Sequence, residues 1–382
     1  SGNYEEANKW IQKFKEIQQD TDFVLIDSDV YEELASTDGI YIETTNLSIN
    51  TEHSEFSGYE HDGKFYFSSA RNTIGNSLKD VYKWNEEPFL NIYQSDISGD
   101  ELSSPRSISS SINTKFHEAS IAITSDGKTL YFTRDNLNKR NKLNSDGEGT
   151  THLQIYKASL VNNSWGNIEE LPLNGKEFSS GHPALSADNK TLFFVSDREG
   201  GFGATDIYKV AILEDGTYGE PENLGNAINT TGKEMFPYVD SENTLYFSSE
   251  GFTNLGLLDI FKSNILNDSE AKPENLGAPF NSGGDDFAFF INKEDNTGYF
   301  ASNNREDGKG SDDIYSFKTF TCKQSIKGIA KDNLTSQSLS NVGVQLIDAS
   351  GKIMTEIKTN NQGEYSFEVD CDKNYTIRGY IK

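Results

Sequence analysis

An apolar-aromatic run bounded by polar residues recurs five times along the chain: Lys64-Phe65-Tyr66-Phe67-Ser68-Ser69, Thr129-Leu130-Tyr131-Phe132-Thr133, Thr191-Leu192-Phe193-Phe194-Val195-Ser196, Thr244-Leu245-Tyr246-Phe247-Ser248-Ser249 and Thr297-Gly298-Tyr299-Phe300-Ala301-Ser302. The second aromatic falls at 67, 132, 194, 247 and 300, in steps of 65, 62, 53 and 53 residues. A turn pair precedes each run: Asp62-Gly63, Asp126-Gly127, Asp188-Asn189, Glu242-Asn243 and Asp295-Asn296. Such pairs supply the positive φ of tight hairpins, so each run is the second strand of a hairpin. A further strand follows each loop, at Asn91-Ile92-Tyr93, Gln154-Ile155-Tyr156, Asp206-Ile207-Tyr208, Asp259-Ile260-Phe261 and Asp313-Ile314-Tyr315. In the first unit Asp80-Val81-Tyr82 competes for that slot. A closing element with a trailing asparagine ends at Asn50, Asn113, Asn174, Asn229 and Asn281.

Four strands per unit at this period predict a mostly β fold, a five-bladed β-propeller. The phasing predicts how it closes. The first closing strand, Thr45–Asn50, precedes the first aromatic run, and the last run has no closing strand after it. The segment around Ile40–Ile49 is therefore expected to complete the fifth blade, which removes an exposed sheet edge. Outside 23–320 the pattern changes. Tyr4, Ala7, Ile11, Phe14 and Ile17 stand at helical spacing within 1–22. One helix cannot bury its own stripe, so 1–22 reads as the end of a helical array. Over 321–382, Val342, Val344 and Leu346, then Tyr365, Phe367 and Val369, alternate around turns, giving six or seven strand signals of a small β-sandwich.

Composition agrees and narrows the function. The chain holds 24 Phe, 18 Tyr and 3 Trp, far more aromatic than a disordered chain. Its 382 residues carry 60 acidic and 34 basic side chains, a net −26. That balance argues against nucleic acid and against a polybasic grip on lipid. No apolar run reaches the length of a membrane helix. The start at Ser1-Gly2 reads as that of a mature or excised fragment.

Ser186 to Arg198, followed by Gly203 and Asp206-Ile207-Tyr208, resembles the TolB-like, WD-like propeller repeat. Tyr82-Lys83-Trp84 and Pro88 to Tyr93 resemble the first blade of one subgroup. The tail is similar to the carboxypeptidase-regulatory-like sandwich at Gly328, Asp332, Thr335, Leu339, Val342, Val344, Leu346, Asp348, Gly351, Thr359, Gly363, Tyr365 and Phe367. Asn3 to Ala7 with Trp10 resembles the closing helix of a tetratricopeptide repeat. That domain order resembles the PorE-like multidomain OmpA-family envelope proteins of Bacteroidota, which serve type IX secretion and gliding. The resemblance implies a non-enzymatic periplasmic scaffold associated with the outer membrane. Its propeller would dock a β-barrel partner of the PorP/SprF type. Peptidoglycan would be held only through an OmpA-like domain absent from this sequence. The oxidising compartment so implied, with strand-end positions for both cysteines, predicts a Cys322–Cys371 disulfide; buried free thiols are the alternative.

Candidate chemistry is sparse. His53, His61, His117, His152 and His182 lack metal-ligand spacing, and no nucleophile elbow or phosphate loop occurs, so neither metal nor cofactor is expected. His117 and His182 stand at matching repeat positions entering a first strand, which leaves them a channel-mouth role. Past each closing asparagine lies Glu55, Glu118, Glu234 or Asp286, with Ser180 in the third unit. As a ring at the channel mouth these acids would suit a cation or a sugar, and the alternative function is a carbohydrate-binding or glycan-cleaving propeller. Otherwise they pair with repeated donors, since Arg71, Arg134, Arg198 and Arg305 follow the aromatic strands. The loops after those strands should cluster on one face. With Arg71, Lys79, Trp84, Arg134, Lys139, Arg140, Lys142 and Arg198, they are the expected partner-binding surface.

Overall fold

The computed structural model describes residues 6, 9–10, 12–13, 28–37, 41–71, 81–320, 322–371 and 373–380. Of the N-terminal helical stripe, Tyr4, Ala7, Ile11, Phe14 and Ile17 lie outside the described residues, as does Lys79. Contacts divide the chain into two units, Ser1–Ser36 with Glu43–Lys318 and Thr37–Ile42 with Thr319–Lys382.

The larger unit includes a short helix, α1 (Ser28–Ala35), whose Leu34 carbonyl accepts the Ala278 N–H at 2.7 Å. Strand β1 (Ile42–Asn46) follows. Sheet 1 holds β2 (Glu55–His61), β3 (Lys64–Ser69) and β4 (Asn91–Ser98), with the short β5 (Glu101–Leu102) and β6 (Arg106–Ser107) on β4. Sheet 2 is β7 (Glu118–Ile123), β8 (Thr129–Asp135), β9 (Leu153–Val161) and β10 (Ser164–Glu170). Sheet 3 is β11 (Ser180–Leu185), β12 (Thr191–Ser196), β13 (Asp206–Ala211) and β14 (Glu222–Asn223). Sheet 4 is β15 (Glu234–Val239), β16 (Leu245–Ser249), β17 (Asp259–Ser263) and β18 (Glu274–Asn275). Sheet 5 is β19 (Asp286–Asn292), β20 (Thr297–Ser302) and β21 (Asp313–Thr319), and its fourth strand is β1. The competition in sheet 1 is settled by pairing. Asn91-Ile92-Tyr93 opens β4, whereas Val81 makes only an isolated bridge to Pro88.

The sheets are antiparallel and propeller-like in arrangement. Each first strand packs against two others, in the cyclic order β2, β7, β11, β15, β19 and back to β2. The repeated sequence features explain the packing. The phenylalanines at 67, 132, 194, 247 and 300 are buried, and each stacks on the aromatic of the third strand at 5.6–5.9 Å: Tyr93, Tyr156, Tyr208, Phe261 and Tyr315. Apolar side chains of adjacent sheets fill the space between them, as where Tyr66, Ile92 and Ile112 meet Ile121, Leu130, Phe132 and Trp165. The trailing asparagines act as staples. Asn113 accepts the Ile92 N–H at 2.9 Å and donates to the Ile92 carbonyl at 2.8 Å. Asn174 does the same to Ile155, Asn229 to Ile207 and Asn281 to Ile260. Asn50 does it to Ile314, which joins the segment after β1 to the last sheet.

Among its described residues from 319 on, the smaller unit holds five strands where the sequence signalled six or seven: β22 (Lys323–Ile329), β23 (Gly343–Ile347), β24 (Ile353–Lys358), β25 (Glu364–Asp370) and β26 (Thr376–Tyr380). They form one sheet of two strands, β22–β25, and one of three, β24–β23–β26. Val344, Leu346, Phe367 and Val369 make its core. Cys322 and Cys371, which flank β22 and β25, form a disulfide.

Candidate functional site

The repeated acids open the first strands, where the chain turns in from the preceding sheet. Glu55, Glu118, Glu234 and Asp286 are fully buried, as is Ser180 in the third sheet. Glu55, Glu118 and Glu234 each bind the residue four positions earlier twice: Thr51, Thr114 and Thr230 donate both N–H and Oγ1 at 2.6–2.8 Å. Asp286 takes the Ser282 N–H at 2.6 Å. Burial lifts Glu118 to about 8 and pushes Glu234 and Asp286 above the ordinary carboxylate range.

Three of the four acids also hold an arginine of their own sheet. Arg71 meets Glu55 at 3.2 Å, Arg134 meets Glu118 at 3.2 Å and Arg305 meets Asp286 at 3.3 Å. Each guanidinium lies over the stacked aromatic pair of its sheet, 4.7–5.3 Å from the ring centroids. Arg198 lies likewise over Phe194 and Tyr208 and donates to the Ser180 hydroxyl at 3.3 Å. The acids therefore do not line an open mouth, and Arg71, Arg134 and Arg198 are not presented on the loop surface. An arginine at or just past the end of a buried strand can fold back over the ring beneath it, and burial in low dielectric favours its pairing with the nearest carboxylate. Of the expected partner-binding residues, Trp84 (85% exposed) and Arg140 stand at the surface, with Lys139 and Lys142 beside Arg140.

Sheet 4 breaks the pattern, because Gly251 occupies the place of the arginine. A Cβ there would lie 1.7 Å from Thr230 Oγ1. Glu234 relies on Thr230 and on Ser249 Oγ at 2.7 Å. We expect Glu234→Gln to cost under about 1 kcal/mol, since both hydroxyls can turn to accept from the amide. Glu118→Gln should cost several times more by stranding Arg134. The raised native value of Glu234 means that its ionisation opposes folding as pH climbs above the ordinary carboxylate range. Glu234→Gln should therefore flatten the pH dependence of the unfolding midpoint just above the ordinary carboxylate range, between the unfolded and the raised folded pKa. An unchanged slope would reject this account.

Two features of the central strands are not legible in the repeat. Two residues past each acid position the backbone enters the left-handed region, at Ser57 (φ 55°), Ser120 (45°), His182 (49°), Phe236 (50°) and Ala288 (54°). Each lies in a β-bulge, where the register slips against the second strand. His182 thus matches Ser120, not His117, which precedes its acid. His117 instead accepts the Leu90 N–H on Nδ1 at 3.1 Å and packs between Tyr82 and Phe89; burial lowers it to about 4. His182 stacks on Phe236 at 4.0 Å. Phe236 in turn touches Phe56 at 5.9 Å and Phe287 at 4.9 Å. Rings from β2, β11, β15 and β19 thereby fill the centre at the loop end. Among the described residues no group of histidine, cysteine and acidic side chains is placed to hold a metal.

No protein-family model matches the chain, and no curated protein matches it. Solved structures with a similar trace include a TolB candidate from Agrobacterium tumefaciens, at 16% identity over 86% of this chain and 97% of that one, TM-score 0.41. An endo-arabinase from Bacteroides thetaiotaomicron matches at 13% identity over 72% and 96%, TM-score 0.44. A protein of unknown function from Dyadobacter fermentans matches at 12% identity over 74% and 100%, TM-score 0.41. At these values the architecture rests on the strand pairing and ring stacking above. No helix among the described residues is long and apolar enough to cross a membrane.

Proposed function

We propose that the chain is a non-enzymatic scaffold, its five sheets closed into a five-bladed propeller by β1, that presents its loop face to a protein partner. One observation carries this reading. Every repeated acid that could serve glycan cleavage is fully buried and held by hydroxyls, N–H groups and, in three of four cases, an arginine. A hydrolytic pair needs two carboxylates facing a common space wide enough for substrate and water. Next to these acids in sequence, Phe56 beside Glu55 and Phe287 beside Asp286 pack ring against ring at 5.8 Å instead.

The loops that remain exposed supply a different chemistry. Trp84, Lys139, Arg140 and Lys142 place an aromatic and three cations on the surface of a strongly acidic protein, which suits an acidic protein surface. The resemblance of the repeats suggests a periplasmic setting at the outer membrane and a barrel of the PorP/SprF type as that partner. Peptidoglycan tethering would then fall to an OmpA-like domain elsewhere in the assembly. The test is affinity purification of the tagged protein from detergent-solubilised envelopes, beside a Trp84→Ala/Arg140→Glu variant. A barrel partner present with the parent and reduced at least about tenfold with the variant is expected. A barrel equally retained would move the contact off this face. Co-purifying glycan without protein would replace the scaffold reading by the carbohydrate one.

A further inference from the structure

The opposite end of the same five first strands, where they turn into the hairpins, behaves differently from the filled loop end. There a cavity of about 690 Å³ opens, lined by residues of all five sheets. A second cavity of about 50 Å³ shares Tyr59, Tyr238 and Phe290 with it and reaches the bulges, where Ser57, His182 and Phe236 line it. The larger cavity is a funnel of a size that holds small molecules or a protruding side chain.

Its floor is aromatic. Tyr59 and Tyr238 flank Phe290 at 5.3 and 5.0 Å between centroids. Both tyrosine hydroxyls are tied to backbone carbonyls, Tyr59 to Ile123 at 3.3 Å and Tyr238 to Ile291 at 2.8 Å. The rings of Tyr59 and Tyr238 are thus held in place and half-buried where they line the cavity. The walls are negative. Glu60, Asp62, Asp240 and Glu294 line the funnel against one ammonium, that of Lys293. Lys293 is already committed to Asp240 at 3.3 Å and to Glu242, outside the lining, at 3.2 Å. His61 adds no charge near neutral pH, because burial lowers its pKa. Glu60 accepts the Tyr299 hydroxyl, which orients it and offsets part of the upward pull of burial on its pKa.

Fixed aromatic faces and a surplus of carboxylates select the same ligand. Rings attract a cation through their quadrupole, the carboxylates through charge, and the apolar surface accepts a hydrocarbon stem. We propose that this funnel binds an organic cation: an ammonium or guanidinium group on an apolar stem, supplied free or as a lysine or arginine side chain of a protein segment.

The test titrates the full chain with phenethylammonium, with N-acetylargininamide and with a Gly/Ser nonapeptide carrying one central arginine. Phenethyl alcohol serves as the neutral isostere, and binding is followed by calorimetry and by tyrosine ring shifts. We expect the cations to bind at least about tenfold more tightly than the alcohol. Glu60→Gln/Glu294→Gln should remove most of that preference. Tyr238→Leu should weaken all cations, and both variants should keep the parent's circular dichroism, with Tyr238→Leu lowering the unfolding midpoint through the lost Ile291 hydrogen bond. A peptide that binds much more tightly than N-acetylargininamide identifies a protein segment as the source; equal affinities identify a free amine. Equal binding of alcohol and amine, no binding up to millimolar probe, or cation affinity unchanged in the folded double carboxamide would overturn the proposal.

Discussion

Above the raised pKa of Glu118, Arg134→Met is expected to lower stability by about 3–5 kcal/mol, the cost of stranding a buried charge. The side chains of Arg134 and Glu118 are 8% and 0% exposed, and they meet at 3.2 Å. Without the guanidinium, Glu118 keeps its two bonds from Thr114 but loses its countercharge. The Ser111 and Ile112 carbonyls lose their donor, and Phe132 and Tyr156 lose the cation above them. Trp165, the buried member of the three tryptophans, packs in the adjacent core and reports the transition by fluorescence in guanidinium. Burial already raises Glu118 in the parent, and loss of Arg134 removes the influence that draws it down. In the variant, protonating Glu118 relieves the uncompensated charge, so the deficit should shrink as pH falls and grow as pH rises. Adding Glu118→Gln should restore part of the loss at a pH where Glu118 is ionised in the parent. A deficit under about 1 kcal/mol would mean that the pair is no better than a surface ion pair.

Cys322→Ser/Cys371→Ser is expected to destabilise the small β unit by about 4 kcal/mol, from the loop entropy that a cross-link of this span removes from the unfolded chain. The bond joins residues 49 apart and so encloses β22 to β25. The core it supports is small, since Val344, Leu346, Phe367 and Val369 are its buried cluster and β22 and β24 are largely exposed. Amide exchange over 323–380 should accelerate in the variant or in reductant. Exchange in the five sheets of the larger unit should be unchanged. Unaltered protection in the small unit would sink the prediction.

The repeat was open to reading because it is local. The Phe-to-aromatic stack joins neighbouring strands, so the pattern of a second-strand aromatic and a third-strand Ile-Tyr records it directly. The hairpins are equally local. Asp62 and Gly63, Asn189, Asn243 and Asn296 all adopt the positive φ that their residue types favour. Even the addition of the N-terminal strand to the last sheet followed from phasing, because a unit short of one strand at its end and a spare strand at the start have one economical solution. The acids and arginines were recognised as repeated, yet not where they point. Spacing from the aromatic differs among Arg71, Arg134, Arg198 and Arg305, so no register announces that all four return to the same place over the rings.

By itself, then, the order of residues determined the strands, their turns, their fivefold recurrence and the acidic character of the whole. These depend on side-chain alternation, backbone preference and charge count, each a property of adjacent residues. Only the tertiary structure decided that the carboxylates lie inside, that rings from four first strands fill the loop end, and that Tyr59, Tyr238 and Phe290 floor a funnel at the hairpin end. Those outcomes depend on strands far apart in sequence, from β2 to β19, meeting at one centre. Which side chain fills that space and which is left lining it is set by the packing of all the first strands together, a property that no single repeat contains.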